Sequence, residues 1–249
     1  MITKTVPVMG TVVSILYDVE EGQEDESEPA IAASFAAASQ HLQRIDERFS
    51  TYRHDSIISR FRVGDLAESP QDLLEVIELC AQAQQLSLGH FDPWYASEGF
   101  DPTGLVKGWA LEEARIQLER HSDIPVLVNG GGDITVTKGS RWRVGIQHPF
   151  IADSIIRVTE ATAALATSGT YQRENHLFSP LGLPLQTVSA TVSSNQRSLA
   201  IVDALATALA VGGLDLLPHL EALEDLEAYL ITATGEQAYT SNFSFLDPT

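Results

Sequence analysis

Residues 89–110 constrain this chain more than any other stretch, because two Asp-Pro pairs, four glycines and one lysine fall within it. Each proline keeps the aspartate before it out of helical geometry, and each glycine permits a turn or a close backbone approach. The segment therefore reads as a structured loop that feeds a helix at residues 107–110. A carboxylate, bare backbone and a lysine at a helix start suit a phosphate and its metal. An ordinary Gly/Pro surface loop has the same composition.

The remainder is well able to bury a core around that segment. The chain has 249 residues, 44% of them hydrophobic, with mean hydropathy near zero, and no linker is evident, so one compact domain over residues 1–249 is expected. Its 15 Lys and Arg stand against 34 Asp and Glu, for a net charge of -19. Such a surface repels a nucleic-acid backbone and an anionic membrane, so neither is an expected partner, and a bound phosphate must be held locally. Cys80 is the sole cysteine, which excludes an intrachain disulfide and a cysteine-based zinc cluster and points to a reducing, cytoplasmic setting. No run approaches the ~20 apolar residues of a membrane helix, and residues 1–9 carry neither a long apolar run nor a cysteine suited to lipidation.

In chain order, residues 9–17 read as a strand and 20–28 as an acidic solvated loop. A helix is expected over 29–47, with Ile31, Phe35, Ala38, Leu42 and Ile45 on one apolar face. Residues 49–61 form a polar loop in which Tyr52 either stacks on a ligand or merely joins helices capped by Ser50 and Asp55. Helices follow at 70–88, where Cys80 belongs to the core, and at 109–120. Strands are expected at 125–136 around a glycine cluster, at 142–149, at 155–158, at 163–173 running into a polar turn, and at 188–194. Residues 198–213 form an apolar helix interrupted by Asp203 and Thr207. Four residues apart, those side chains share one face. A carboxylate in an apolar helix is costly unless it is paired or binds a cation, and carboxylate, hydroxyl and carbonyl oxygens suit a hard ion such as Mg²⁺; a capping or solvent-facing Asp remains the structural alternative. A helix at 214–224 and strands at 228–232 and 237–240 complete the chain.

In this order the motifs resemble the ApbE family of flavin transferases, which use FAD and Mg²⁺ to attach FMN to a threonine hydroxyl of a target protein. The matching pieces are Met9-Gly10-Thr11, residues 49–61, Phe91-Asp92-Pro93, Gly104 through Gly108, Gly131-Gly132-Asp133, Thr167-Ser168-Gly169, His176 with Pro180 and Gly182, and Asp203 through Thr207. The resemblance implies a mixed α/β fold related to the T-fold, a single domain of mixed or antiparallel sheets flanked by helices. It implies metal ligation by Asp203, Thr207 and the Gly104 carbonyl, and FAD contacts at Met9, Tyr52, His90, Phe91, Asp92, Asp101 and Lys107. His176 takes the place of the family's histidine near the reacting pyrophosphate, and Asp203 and His176 are the implied catalytic residues. The implied partner is an acceptor protein carrying the target threonine, while self-association stays open. Thr170 and Ser179 stand where the family pattern has acidic residues, and Phe100-Asp101-Pro102-Thr103 replaces its more usual Asp-Leu-Gly. FAD hydrolysis to FMN and AMP, and FAD binding without chemistry, are the alternatives to transfer.

Overall fold

The computed structural model describes residues 1–169, 179–182 and 184–247; Thr170 and His176 lie outside these. Its frame is one antiparallel sheet in the order β1 (Ile2–Val8), β2 (Thr11–Tyr17), β3 (Val126–Gly130), β4 (Asp133–Val136), β7 (Ala164–Gly169), β8 (Thr187–Ser194), β9 (Glu227–Thr232), β10 (Gln237–Tyr239), with β5 (Trp142–Gln147) and β6 (Ile155–Ala161) forming a separate hairpin. The chain enters through β1 (Ile2–Val8) and β2 (Thr11–Tyr17), joined at Met9 and Gly10 with φ of 52° and 68°. Two successive positive φ values give a tight turn whose twist matches that of the strands. Met9 is thus a turn residue rather than the start of a strand. β1 escapes the sequence reading because it is an edge strand: only Val6 and Val8 are buried, and Pro7 is tolerated there because an edge need not donate.

Helix α1 (Glu24–Phe49) begins earlier than the apolar periodicity predicts, and takes in much of the expected acidic loop. Glu24, Asp25 and Glu26 occupy its first turn, where the positive end of the helix dipole favours carboxylates. Its predicted face holds: Ile31, Ala38, Leu42 and Ile45 are buried. After α2 (Ile57–Arg62), α3 (Gln71–Leu86) is tied to α1 by Arg48, whose guanidinium donates through Nη2 to Asp72 Oδ1 at 2.9 Å and through Nε to Oδ2. That pairing holds the Asp72 carboxyl below its ordinary value. A depressed carboxylate pKa contributes stability above the unfolded value that is lost as pH falls through the folded one. Asp72→Asn is therefore expected to lower stability by about 0.5–1 kcal/mol at neutral pH, a small figure because both groups are about a third exposed. The difference should vanish in acid, as melts of both proteins across pH would read.

Helix α4 (Thr103–His121) also starts before its expected position. Asp101 Oδ1 accepts the Thr103 amide at 3.0 Å, so the second Asp-Pro pair is the entrance of the helix. Gly104, Lys107 and Gly108 consequently lie within its opening turns. The strands β3 (Val126–Gly130), β4 (Asp133–Val136), β7 (Ala164–Gly169), β8 (Thr187–Ser194), β9 (Glu227–Thr232) and β10 (Gln237–Tyr239) complete the sheet.

Strand alternation sends side chains to both faces of the sheet, and both are covered. Val126, Val128, Ala164, Ala166, Ala228 and Leu230 pack with α4 and α5 (Leu199–Glu221). Leu127, Ile134, Val136 and Leu165 pack instead against Trp142, Val144 and Ala161 of the hairpin β5 (Trp142–Gln147) and β6 (Ile155–Ala161). Helix α5 is long and apolar enough to cross a membrane by length and composition, which the sequence reading did not register. It lies buried between α4 and the sheet as a core helix. It breaks at Gly213 (φ 56°, ψ -140°), where the sequence separates two helices.

Candidate active site

Three elements deliver ionisable side chains to one buried place. The turn between β3 and β4 runs through Gly131 and Gly132 at φ of 69° and 99°, and Gly132 donates its amide to Asn129 Oδ1 at 3.0 Å. That turn sets Asp133 at the start of β4 with no solvent exposure. Lys107 of α4 brings Nζ to 2.6 Å from Asp133 Oδ2. Asp203, fully within α5 and 2% exposed, accepts the Gly108 amide at Oδ2, 3.0 Å away. One turn further along α5, Thr207 Oγ1 lies 3.1 Å from Ser168 Oγ of β7.

Gly104 completes the cluster. A Cβ there would stand 3.2 Å from Phe91 Cε2 and 3.5 Å from Thr207 Oγ1. Gly108, one turn further along α4, is the residue whose amide reaches Asp203.

The electrostatics of the cluster are unbalanced. Burial raises the Asp203 pKa well above its ordinary value and the nearby Asp133 carboxylate raises it further, against the pull of Lys107 and the Gly108 amide. Burial likewise raises Asp133, with Lys107 opposing. Lys107 is close enough to Asp133 for a strong ion pair, yet neither Asp133 oxygen completes a well-aligned hydrogen bond among the described residues. Among the described residues two carboxyl groups stand against one ammonium, and a cation bound there would favour the ionised form of both.

The structure joins Phe91, Gly104, Lys107, Asp203 and Thr207 in this way. Other predicted residues serve local structure first. Asp92 Oδ1 accepts the Trp94 amide at 2.9 Å, and Asp101 caps α4 while its Oδ2 lies 3.7 Å from Arg62. His90 is buried with Nδ1 unpartnered among the described residues, packed against Gly212 at the break in α5, and burial lowers its pKa. Tyr52 stands 93% exposed on its loop, outside the cluster. Met9 sits at the hairpin tip beside the glycine turn, since a Cβ on Gly131 would meet Thr11 Oγ1 at 3.2 Å.

Asp133 and Ser168 had no role in the sequence reading beyond their place in matching motifs. Asp133 carries a signal that could have found it, as the one ionisable residue between Pro125 and Val136. A cavity of about 340 Å³ lined by Gln82, Gln85, Leu86, Arg197, His219 and Leu223 shares no residue with the cluster. Two of its polar groups are engaged, Arg197 by Asp225 and His219 by the Leu86 carbonyl.

Residues 9–99 and 96–230 match the profile of the ApbE family. The chain belongs to the ApbE family. Among curated relatives, the FAD:protein FMN transferase of Vibrio cholerae is 24% identical over 83% of this chain and 80% of its own length. The Rhodobacter capsulatus protein of the same name is 29% identical over 84% of this chain, which spans only 39% of that relative. Among solved structures, the ApbE protein of Thermotoga maritima superposes with a TM-score of 0.81 at 18% identity, covering 96% of this chain and 97% of the other. The flavin transferase ApbE of Vibrio cholerae gives 0.79 at 21% identity, covering 98% and 99%. The ApbE fold, antiparallel sheet and flanking helices included, is therefore that of this chain.

Proposed function

We propose that this protein is an FAD:protein FMN transferase that uses Mg²⁺ to move FMN from FAD to a threonine hydroxyl of an acceptor protein, releasing AMP. The observation carrying the proposal is the buried convergence of Asp203, Thr207, Gly104, Lys107 and Asp133 from three separate elements. The names of the two curated relatives support transfer of FMN from FAD to a protein.

The residues present fit a magnesium ion. The donors are all oxygen, Gly104 stands beside Thr207, and Asp203 is buried beside a second carboxyl group. Among the described residues no group of three or more His, Cys, Asp or Glu is placed to hold a metal ion by itself. This suits Mg²⁺, which takes one or two carboxylates and completes its shell with water and substrate phosphate. Asp203, Thr207 and the Gly104 carbonyl would hold the ion, which when bound neutralises charge on the phosphoryl oxygens of FAD.

The protein's own part is placement. In the transfer, the threonine oxygen forms a bond to the FMN phosphorus as the bond to AMP breaks, and the hydroxyl proton leaves. Phe91 packed on Gly104 shapes one wall, and Lys107 pairs with Asp133 beside Asp203. Burial excludes water, which strengthens these electrostatic terms and disfavours hydrolysis. His176 is the base proposed for the hydroxyl proton, from its place in the family pattern; its replacement by alanine should lower kcat by about 10²–10⁴-fold.

Lys107→Ala is expected to do more than weaken FAD binding. It leaves the Asp133 carboxylate buried without its partner, a change that costs about 3–5 kcal/mol in comparable sites. Thr207→Val, which keeps volume and removes one oxygen, should instead raise the Mg²⁺ requirement with little loss of melting temperature. Measuring AMP release with and without an acceptor domain tests the function itself. Release that requires the acceptor supports transfer; equal release without it indicates hydrolysis, and tight FAD binding with no AMP indicates a binder.

A further inference from the structure

We propose that Glu112 is a positioning residue that sets Asp203 in register against α4. The inference rests on the reading of Asp203 as the metal-binding carboxylate, and it assigns a role to a side chain outside the cluster.

Helices α4 and α5 meet backbone to backbone. A Cβ on Gly108 would lie 2.5 Å from the Leu199 carbonyl oxygen and 2.9 Å from Asp203 Cβ. At that contact two hydrogen bonds cross between the helices. Gly108 donates its amide to Asp203 Oδ2 at 3.0 Å, and Leu199 donates its amide to Glu112 Oε2 at 3.0 Å. Residues 108 and 112 stand one turn apart on α4, as do 199 and 203 on α5, and the pairing is antiparallel. The four-residue steps on the two helices each rise about 6 Å, so sliding α5 by one residue, about 1.5 Å, breaks both bonds together.

Capping alone does not account for Glu112. The N-terminus of α5 already has its own cap, because Ser198 Oγ accepts the Ile201 amide. Glu112 is partly buried, and burial pushes its pKa up against the pull of Arg115 and the Leu199 amide. A local cap could be exposed and short; this carboxylate is desolvated and reaches from another helix. Its placement at a helix N-terminus gives it unpaired amides and a favourable dipole. The consequence is a rigid two-point clamp with Asp203 at one of its points.

The test compares wild type with Glu112→Gln, Glu112→Leu and Ser198→Ala, using amide hydrogen exchange of the metal-free protein and a MgCl2 titration followed by melting temperature. Glu112→Leu is expected to speed exchange at the Gly108 amide by about tenfold or more, since loss of the clamp frees the Asp203 side chain that protects it. It should raise the half-saturating Mg²⁺ concentration by a similar factor. Glu112→Gln keeps an acceptor in place and should stay within about threefold on both measures. Ser198→Ala should loosen the first turn of α5 and change neither. If Glu112→Leu does not fold, Glu112→Asp, one methylene shorter, should show the same two shifts at about threefold. Unchanged Gly108 exchange in the Leu or Asp variant overturns the positioning role, whatever its melting temperature. A wild type that Mg²⁺ does not stabilise contradicts the metal reading instead, and Gly108 exchange then decides the role of Glu112 alone.

Discussion

Asparagine at position 203 is expected to lower FMN transfer by about 10³-fold while leaving the metal-free protein at least as stable as wild type. The two effects separate because Asp203 is costly to the fold and necessary to the site. Its carboxyl group is buried beside that of Asp133, with Lys107 paired to Asp133 nearby. Asparagine still offers an oxygen to the Gly108 amide, so the hydrogen bond survives and the like-charge repulsion does not. What is lost is the anionic ligand for a divalent cation.

The same charges fix the sign of a pH effect. A raised carboxylate pKa means that the folded protein holds its proton more tightly than the unfolded chain does. Stability is then lost as pH rises through the folded value and regained on acidification toward the unfolded value. Asp203 and Asp133 both shift upward. Melts in EDTA should therefore show wild type gaining on Asp203→Asn as pH falls from neutrality. Added Mg²⁺ should stabilise wild type at neutral pH, by mass action on the folded state, and leave the variant unmoved.

Gly108→Ala is expected to damage the fold more than any other single methyl in the site. The added Cβ would lie 2.5 Å from the Leu199 carbonyl oxygen, a backbone atom that cannot turn away. Overpacking costs typically run to about 3 kcal/mol, and a helix contact made of main chain is at the upper end. For a chain of this size that is a fall of about 6–12 °C in melting temperature, read by calorimetry. The neighbouring Gly104→Ala provides the contrast. There the nearest atoms are side-chain atoms of Phe91 and Thr207 at 3.2 and 3.5 Å, so the fold should adjust. Its effect should fall on FAD and Mg²⁺ binding, because the methyl occupies space between Phe91 and Thr207.

What the sequence disclosed follows from periodicity and from isolated anomalies. The buried face of α1, from Ile31 to Ile45, and the apolar run of α5 are plain in the spacing of their residues. Asp203 was legible as an acid where no acid should be, and the helix break at Gly213 as a glycine pair. Edges and ends were not legible. β1 buries too few side chains to alternate clearly, the acids of α1 serve its dipole and look like loop, and Asp101 reads as a loop residue until it is seen to cap α4. Pairings across the chain were the larger gap. Lys107 with Asp133, and Glu112 with Leu199, are set by the crossing of α4 over β4 and α5, which no local pattern encodes.

Intact-mass spectrometry of an acceptor domain incubated with the protein and FAD tests the central claim most directly. The proposed chemistry predicts a mass gain of one FMN moiety on a threonine when Mg²⁺ is present, none in EDTA, and almost none with Asp203→Asn. An adduct formed equally well by Asp203→Asn, or FMN and AMP released with the acceptor unmodified, would contradict it.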